Sequence, residues 1–439
     1  MRSLRMKNIW LMMALICAWV ISPSVFGQDQ LSLEDATGLA LKRSENVQQA
    51  AIEIERAQAQ IKEAWASVLP QISANFQSIR HTKSPVIQIG DTSAPIKEDW
   101  EMLSSLQLNQ VIYSFGRVSH ALDLAKISQQ ARQSAKDAVE REIRYAVEVA
   151  YFNALSAQEV LQIAKDSHAN AKKNLEALQK RFQGGRVPRF DNIRMAADIA
   201  SRAPIVSDAE KNLKLAFLQL NLLTEMPIES RPSLTTSMST LFPALNKSEL
   251  LNEAYENPSL KSIELAAEIA QKQTMLAKAE HYPTISAFGQ LNHGGTGDTF
   301  QPEDDRMFTS SAIGLSLNIP IFEGGAVKAR HQQAALEAVK AKIELKKQKE
   351  MLEVQLASSI EEYKANIQKY AATKKAVGLA KRGYELTRTR FATGGATRND
   401  LNTAESSLTN ARIQQQTALF QIYQNKASIK RFTKGVVAK

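Results

Sequence analysis

An eleven-residue pattern occurs twice in this chain. It runs from Arg181-Phe182-Gln183-Gly184-Gly185 to Arg189-Phe190-Asp191, and again, 209 positions later, from Arg390-Phe391-Ala392-Thr393-Gly394 to Arg398-Asn399-Asp400. Five of the eleven positions agree, at Arg, Phe, Gly, Arg and Asp. The same offset relates Gly116 to Gly325 and Val118 to Val327, so both 65-residue stretches from glycine to Arg-Phe keep one length. A loop would not hold its length in this way. A helical rod whose two ends must each reach a fixed height would, and 65 residues at 1.5 Å of rise make a rod of about 100 Å. The sequence reads as a duplicated rod protein.

Composition supports long helices: aromatic residues are only 6%, with 18 glycines and 13 prolines in 439 residues. Apolar positions from Ala135 through Val139, Ile143, Ala146 and Ala150 to Phe182 recur at a mean of about 3.6 residues, which predicts a nearly straight helix. The seam is rich in alanine, and small side chains let neighbouring helix backbones approach closely.

The first 27 residues read as a signal peptide. Arg2, Arg5 and Lys7 precede an apolar run from Ile9 to Ile21, which is too short to span a bilayer, and a small-residue site follows near Gly27. Cys17 lies inside that run after bulky Ile16, which does not fit a lipoprotein cleavage pattern. Without the signal no cysteine remains, excluding disulfides and thiol catalysis. The net charge of +10 loses three positives with the signal, leaving 10 − 3 = +7. The basic stretch from Lys340 to Lys349 alternates Lys with Glu at helical spacing, so it reads as a solvated helix face and not as a nucleic-acid site.

Two halves share one order of elements. The first, 28–224, holds a helix that Ser32 and Asp35 can cap, with a break near Ser44 to Val47. A strand pair at 71–80 and 103–113, a long helix 117–182, a tip turn and a return helix complete it. Residues 225–248, with Pro227, Pro232 and Pro243, read as a crossover. The second half, 249–432, holds a helix, a strand pair at 284–292 and 310–319, a long helix 326–391, a tip turn and a return helix, followed by a 433–439 tail. Pro204 is expected to kink the first return helix, and 293–306 reads as a Gly-rich acidic loop.

The strands have the length and alternation of outer-membrane strands: Ile313, Leu315, Leu317 and Ile319 suit lipid, while Ala312, Gly314, Ser316 and Asn318 suit water. Four strands cannot enclose a lumen, and an open edge in lipid costs several kcal/mol for each unpaired backbone group. The chain is therefore expected to oligomerise, and three copies would supply twelve strands.

The sequence resembles the TolC-like outer membrane efflux protein family over nearly its whole mature length. The resemblance rests on the helix-Pro-strand passages at Pro70 and Pro283 and on the Asn257-Pro258 step. It also rests on the exits Tyr113-Ser114-Phe115-Gly116 and Ile321-Phe322-Glu323-Gly324-Gly325, and on the two Arg-Phe-x-x-Gly tips. It implies a mainly α protein with membrane β: a homotrimer whose twelve-stranded β-barrel in the outer membrane of a Gram-negative bacterium continues as a long periplasmic α-helical barrel. It further implies a passive exit duct for a tripartite efflux pump or a type I secretion system, working with a periplasmic adaptor and an inner-membrane transporter. The tips, Arg181, Phe182, Gly185, Arg390, Phe391 and Gly394, are then the adaptor-docking residues.

Asp191 and Asp400 stand where the family places a tip aspartate. Where the family pattern can show a second aspartate, three positions on, this chain has Arg194 and Thr403, which weakens the expectation of a double acidic ring. Asp191 and Asp400 suit a periplasmic gate, with Arg189 and Arg398 as the partners that hold it shut. They also suit capping of the return helices, where a carboxylate accepts backbone N–H groups at the positive dipole end. The sequence leaves both roles open.

No catalytic constellation emerges, and the six histidines show no metal-ligand spacing. No cofactor is expected, and an enzyme is the least favoured class. Asp298, Glu303, Asp304 and Asp305 suit either an external calcium ion or a solvated loop. The competing reading is an exported coiled-coil spacer or a periplasmic adaptor; an adaptor calls for one hairpin flanked by small β-domains, which the duplication disfavours. Nothing in the sequence names the cargo.

Overall fold

The structure, a computed structural model, describes residues 30–83, 86–95, 98–183, 189–300 and 306–433. The expected signal 1–27, Gly185, Glu303 to Asp305 and nearly all of the 433–439 tail lie outside the described residues, as does the side chain of Arg181. The elements in chain order are β1 (Gln30–Leu31), α1 (Leu33–Arg43), α2 (Glu45–Ala66), β2 (Gln71–Arg80), β3 (Val86–Ile89), β4 (Thr92–Pro95), β5 (Trp100–Tyr113) and α3 (Arg117–Gln183). Then come α4 (Arg189–Thr224), β6 (Ser233–Leu234), α5 (Lys247–Tyr255), α6 (Pro258–Ala279), β7 (Thr284–Gly297), β8 (Met307–Asn318), α7 (Ala326–Thr393) and α8 (Arg398–Phe432). The chain divides into two compact units.

One unit comprises Arg43–Tyr145, Pro243–Lys364 and Asn425–Lys439. Its centre is an antiparallel sheet in the order β2-β5-β7-β8. Two features differ from expectation. Residues 293–297 continue β7 and β8 begins at Met307, so the first five residues of the expected 293–306 loop are strand. Between the expected strands 71–80 and 103–113, residues 86–95 form an additional hairpin whose turn uses Gly90 at φ +64°.

Caps fix the helices of this unit. Asn257 accepts from the Ser259 N–H at 2.8 Å with Pro258 at the first helical position, the arrangement that starts α6. Its amide nitrogen donates to the carbonyls of Arg431 and Phe432 at 3.0 Å, and Arg141 donates to that of Thr433 at 2.8 Å. Carbonyls at the end of α8, orphaned by the helix terminus, are thereby satisfied.

The other unit comprises Met1–Lys42, Ala146–Phe242 and Ala365–Gln424. Ser32 and Asp35 cap α1 reciprocally: the Asp35 N–H donates to Ser32 Oγ at 3.1 Å and the Ser32 N–H to Asp35 Oδ2 at 3.3 Å. The crossover is not wholly irregular, since β6 pairs in parallel with β1. Fully buried Tyr151 donates to the Leu31 carbonyl and accepts from the Thr236 N–H, both at 2.9 Å, stitching the two strands to α3. Helix α4 runs through Pro204 without interruption. Among the described residues, no helix is long and apolar enough to cross a membrane.

Candidate functional site

Over its central rows the four-stranded sheet has one mainly apolar and one mainly polar face. Register puts Ile72 beside Leu108, Leu108 beside Gly289 and Gly289 beside Ile313; Ala74, Leu106 and Leu291 form the next row, and Ala287 with Leu315 and Ile285 with Leu317 extend the same side. Ile313 is 91% exposed and Leu315 75%, so this apolar face has no cover among the described residues. The opposite face carries Gln71, Ser73, Asn75, Ser105, Gln107, Asn109, Gln290, Asn292 and Ser310. Its amides bond to each other and to hydroxyls, as in Gln290 to Asn292 at 3.1 Å.

Aromatic residues mark both ends of the sheet. At one end Trp100 meets Phe300 edge-on at 5.2 Å, with the Arg80 guanidinium over its ring. At the other, Tyr113 packs edge-on against Phe115 at 4.6 Å, and Phe115 stacks on Tyr282 at 6.2 Å. Amphipathic rings at both limits of an apolar band are what the two interfaces of a bilayer select.

The sheet leaves for the helices through a left-handed corner that repeats at the 209-residue offset. Phe115 and Gly116 have φ of +49° and +92°, and Gly324 and Gly325 have +60° and +86°. Three of these positions are glycine, which enters this region freely. Phe115 is not, and its two ring contacts offset the cost of its backbone.

In the other unit, α3, α4, α7 and α8 meet around one core of Leu178, Met195, Tyr384, Phe391 and Leu401. The turn from α7 to α8 is closed by glycine: Gly394, at φ +90°, donates to the Phe391 carbonyl at 3.2 Å, and the Gly395 N–H donates to the Arg390 carbonyl at 2.7 Å. This pair of bonds is the Schellman termination, which requires a left-handed residue after the helix. Arg390 adds a guanidinium bond to the Gly395 carbonyl at 3.0 Å.

The predicted tip residues separate on inspection. Phe391 is buried, 5% exposed, so it is a core residue of the tip and not the outward docking contact its motif implied. Its counterpart Phe182 is exposed at 37%, and Phe190 and Ile193 are also exposed. Arg181 lies in the last turn of α3. Arg189 is exposed and Asp191 half-buried, both in the first turn of α4.

Asp400 takes the capping role. Its carboxylate accepts from the Thr397 N–H at 2.9 Å and hydroxyl at 2.7 Å, while its own N–H donates to Thr397 Oγ1 at 3.2 Å. The bonds from the Thr397 backbone and then its hydroxyl hold the Asp400 carboxyl below the ordinary aspartate range.

Arg398 was expected beside Asp400 as a gate partner. It instead turns inward, buried, and pairs with Asp198 of α4. That contact begins a polar seam the sequence reading missed. Arg202 donates to Ser167 at 2.5 Å and Asn402 at 2.7 Å, and lies 3.2 Å from the Glu405 carboxylate; Arg412 reaches Asp166 at 3.1 Å. Burial pushes the Glu405 carboxyl up, and Arg202 opposes that shift without cancelling it. A cavity of about 230 Å³ lies beside this seam, lined by Asp198, Arg202, Asn402 and Thr409 among others. The available signal was the spacing of Arg398, Asn402, Glu405 and Arg412 on one face of α8. Among the described residues, no three His, Cys, Asp or Glu side chains gather as a metal site.

A chain that carries an apolar-faced, girdled antiparallel sheet together with long helices turning in one packed core is built as an outer-membrane β-barrel protein with helical extensions. Comparison with known proteins makes the class specific. The chain belongs to the outer membrane efflux protein family, whose model matches residues 36–224 and 250–433. It is 26% identical over 341 residues to outer membrane protein TolC of Escherichia coli (strain K12), a match covering 74% of this chain and 68% of TolC. It is 24% identical over 397 residues to alkaline protease secretion protein AprF of Pseudomonas aeruginosa, covering 87% and 80% of the two chains. Its fold is similar to that of the outer-membrane channel OprN, with a TM-score of 0.78 at 17% identity over 92% of this chain and 90% of OprN.

Proposed function

We propose that three copies of this chain close their sheets into one twelve-stranded barrel in the outer membrane, forming the exit duct of an efflux pump or a type I secretion system. The observation that carries this reading is the sheet itself: β2 and β8 are its outer strands, and its apolar face is uncovered. In hydrocarbon the free strand edges must find partners, and copies of the same sheet supply them. Helix α7 carries exposed Leu336, Val339, Ile343 and Val354 at helical spacing, a second surface for a neighbouring copy. The relatives point the same way, OprN being described as a channel and AprF as a secretion protein.

In this reading the halves 28–224 and 249–432 are one duplicated unit, joined by 225–248. The tips dock a periplasmic adaptor, with Phe182, Phe190 and Ile193 of the first tip as the apolar contact and an inner-membrane transporter beyond it. Asp400, exposed and ionised to low pH, sets three negative charges around the threefold axis with Asp191 nearby, forming an acidic aperture that attracts cations.

The test is to purify the protein in detergent, measure its mass by light scattering, and record ion permeation in planar lipid. A three-chain particle with stepwise conductance is expected. A water-soluble single-chain species that conducts no current would refute the proposal.

A further inference from the structure

Within three consecutive polar rows of the sheet, one large residue is out of character. The rows Gln71–Asn109–Phe288–Gly314, Ser73–Gln107–Gln290–Ala312 and Asn75–Ser105–Asn292–Ser310 hold no ionisable group, and amides and hydroxyls dominate them; the next row, Gln77–Leu103–Gly294–Phe308, is mixed. Phe288 stands among them, 39% exposed, with Gly314 as its direct partner on β8. A Cβ built on Gly314 would lie 2.8 Å from Phe288 Cζ and 2.9 Å from Cε1. The ring therefore rests on the bare backbone of β8. Gly314 is not there for a left-handed φ, and a mid-strand glycine weakens a strand, so close approach of the ring is the physical reason for it.

We propose that Phe288 and Gly314 together set the bore of the duct: the missing side chain at 314 lets three aromatic rings, one per copy, lie flat on the lumen wall. The inference rests on the exit-duct reading, in which the polar face lines the lumen. A side chain at 314 meets the far end of the Phe288 ring, the part that moves most readily. With β8 behind it, the ring swings into the bore. The flattened rings give this amide-lined stretch of the wall an aromatic collar, where cargo with apolar or aromatic groups makes contact. The collar lies in the ring of residues formed by Gln71, Asn109, Phe288 and Gly314 of each copy.

Neutral polymers of graded size, added from the barrel side of channels in planar lipid, probe this bore independently of the helical tips. Gly314→Val should lower the polymer size that enters and reduces conductance, and adding Phe288→Ala should restore the wild-type cut-off. Phe288→Ala alone should leave the cut-off nearly unchanged, because the ring already lies against the wall. If Gly314→Val does not assemble, Gly314→Ala poses the same question with one methyl group. Three results would each overturn the collar: an unchanged cut-off in the Gly314 variants, no restoration by Phe288→Ala, or a large widening in Phe288→Ala alone. A wild-type protein with no conductance would refute the exit-duct reading, and the collar with it; conducting wild type with insensitive variants refutes the collar alone.

Discussion

Replacing Arg202 by methionine removes the cation that pairs with Glu405 while keeping most of the side-chain volume. The Glu405 side chain is 4% exposed and that of Arg202 12%, so the carboxylate is left buried without its partner. Breaking such pairs costs about 3–5 kcal/mol when the remaining charge has no escape. Glu405 has one, because it can take up a proton. From the reference value of 4.5, protonation at pH 7 costs about 1.36 × (7 − 4.5) ≈ 3.4 kcal/mol, which caps the ionic part of the loss. Wild type already bears a share of this, since burial raises the group even with Arg202 present, so the measured difference falls below that cap.

The pH dependence follows in sign. A carboxyl whose folded value lies above its unfolded value binds more protons in the folded state, so stability falls as pH rises through the window above 4.5. The variant extends that window upward. Its ionic deficit relative to wild type should be largest at pH 7 and shrink to about 0.7 kcal/mol or less at pH 5, from 1.36 × (5 − 4.5). Losing the bonds to Ser167 and Asn402 adds a part that does not titrate, about 1 kcal/mol, softened where the neighbouring cavity lets water replace the guanidinium. Helical circular dichroism during denaturation in detergent, at both pH values, reads the difference. In a Glu405→Gln background the pH dependence should vanish. A wild-type-to-variant difference that is equal at pH 5 and pH 7 would refute the account of a buried, partnered carboxylate.

Two further substitutions test the turn and the membrane face. Gly394→Ala forces a β-carbon into φ +90° and should destabilise the α7–α8 turn by about 1–2 kcal/mol, seen as faster hydrogen exchange at residues 390–401, whereas unchanged exchange would mean the turn relaxes. Ile313→Lys on the apolar face should impair insertion into lipid vesicles by about 2–4 kcal/mol, while Ala312→Lys, one residue away on the polar face, should insert nearly as wild type; equal behaviour of the two would reverse the assignment of faces.

Period-2 alternation in 71–78, 106–113, 284–291 and 312–319 made the strands legible, because one wall meets lipid and the other meets water. Glycine misled the reading at 294–295. Gly294 and Gly295 looked like loop, yet each sits in β7 where a β-carbon would strike neighbouring backbone, that of Met102 and of Arg306 respectively. Glycine there marks strands in close contact, which a single sequence cannot distinguish from a turn. Capping by Asp400 was legible as one of two roles for an aspartate at a helix start, although its partner Thr397 was not singled out. The pairing of Arg398 with Asp198 was not, since 200 residues separate the partners and nothing local selects Asp198 over Asp400.

The duplication was the clearest signal, and the structure shows its two copies diverging by position. At the 209-residue offset, Phe115-Gly116 and Gly324-Gly325 turn the same left-handed corner, one copy with glycine alone and the other with an aromatic residue braced by Tyr113 and Tyr282. At the same offset Phe182 is exposed while Phe391 fills the tip core. Backbone geometry has therefore been kept where each copy must turn from strand to helix. Side-chain burial has been free to differ where the four helices share one core, because that core needs an aromatic residue from only one of the two hairpins. A matched sequence motif thus predicts a matched path of the chain, and which copy faces outward is settled by the neighbours it packs against.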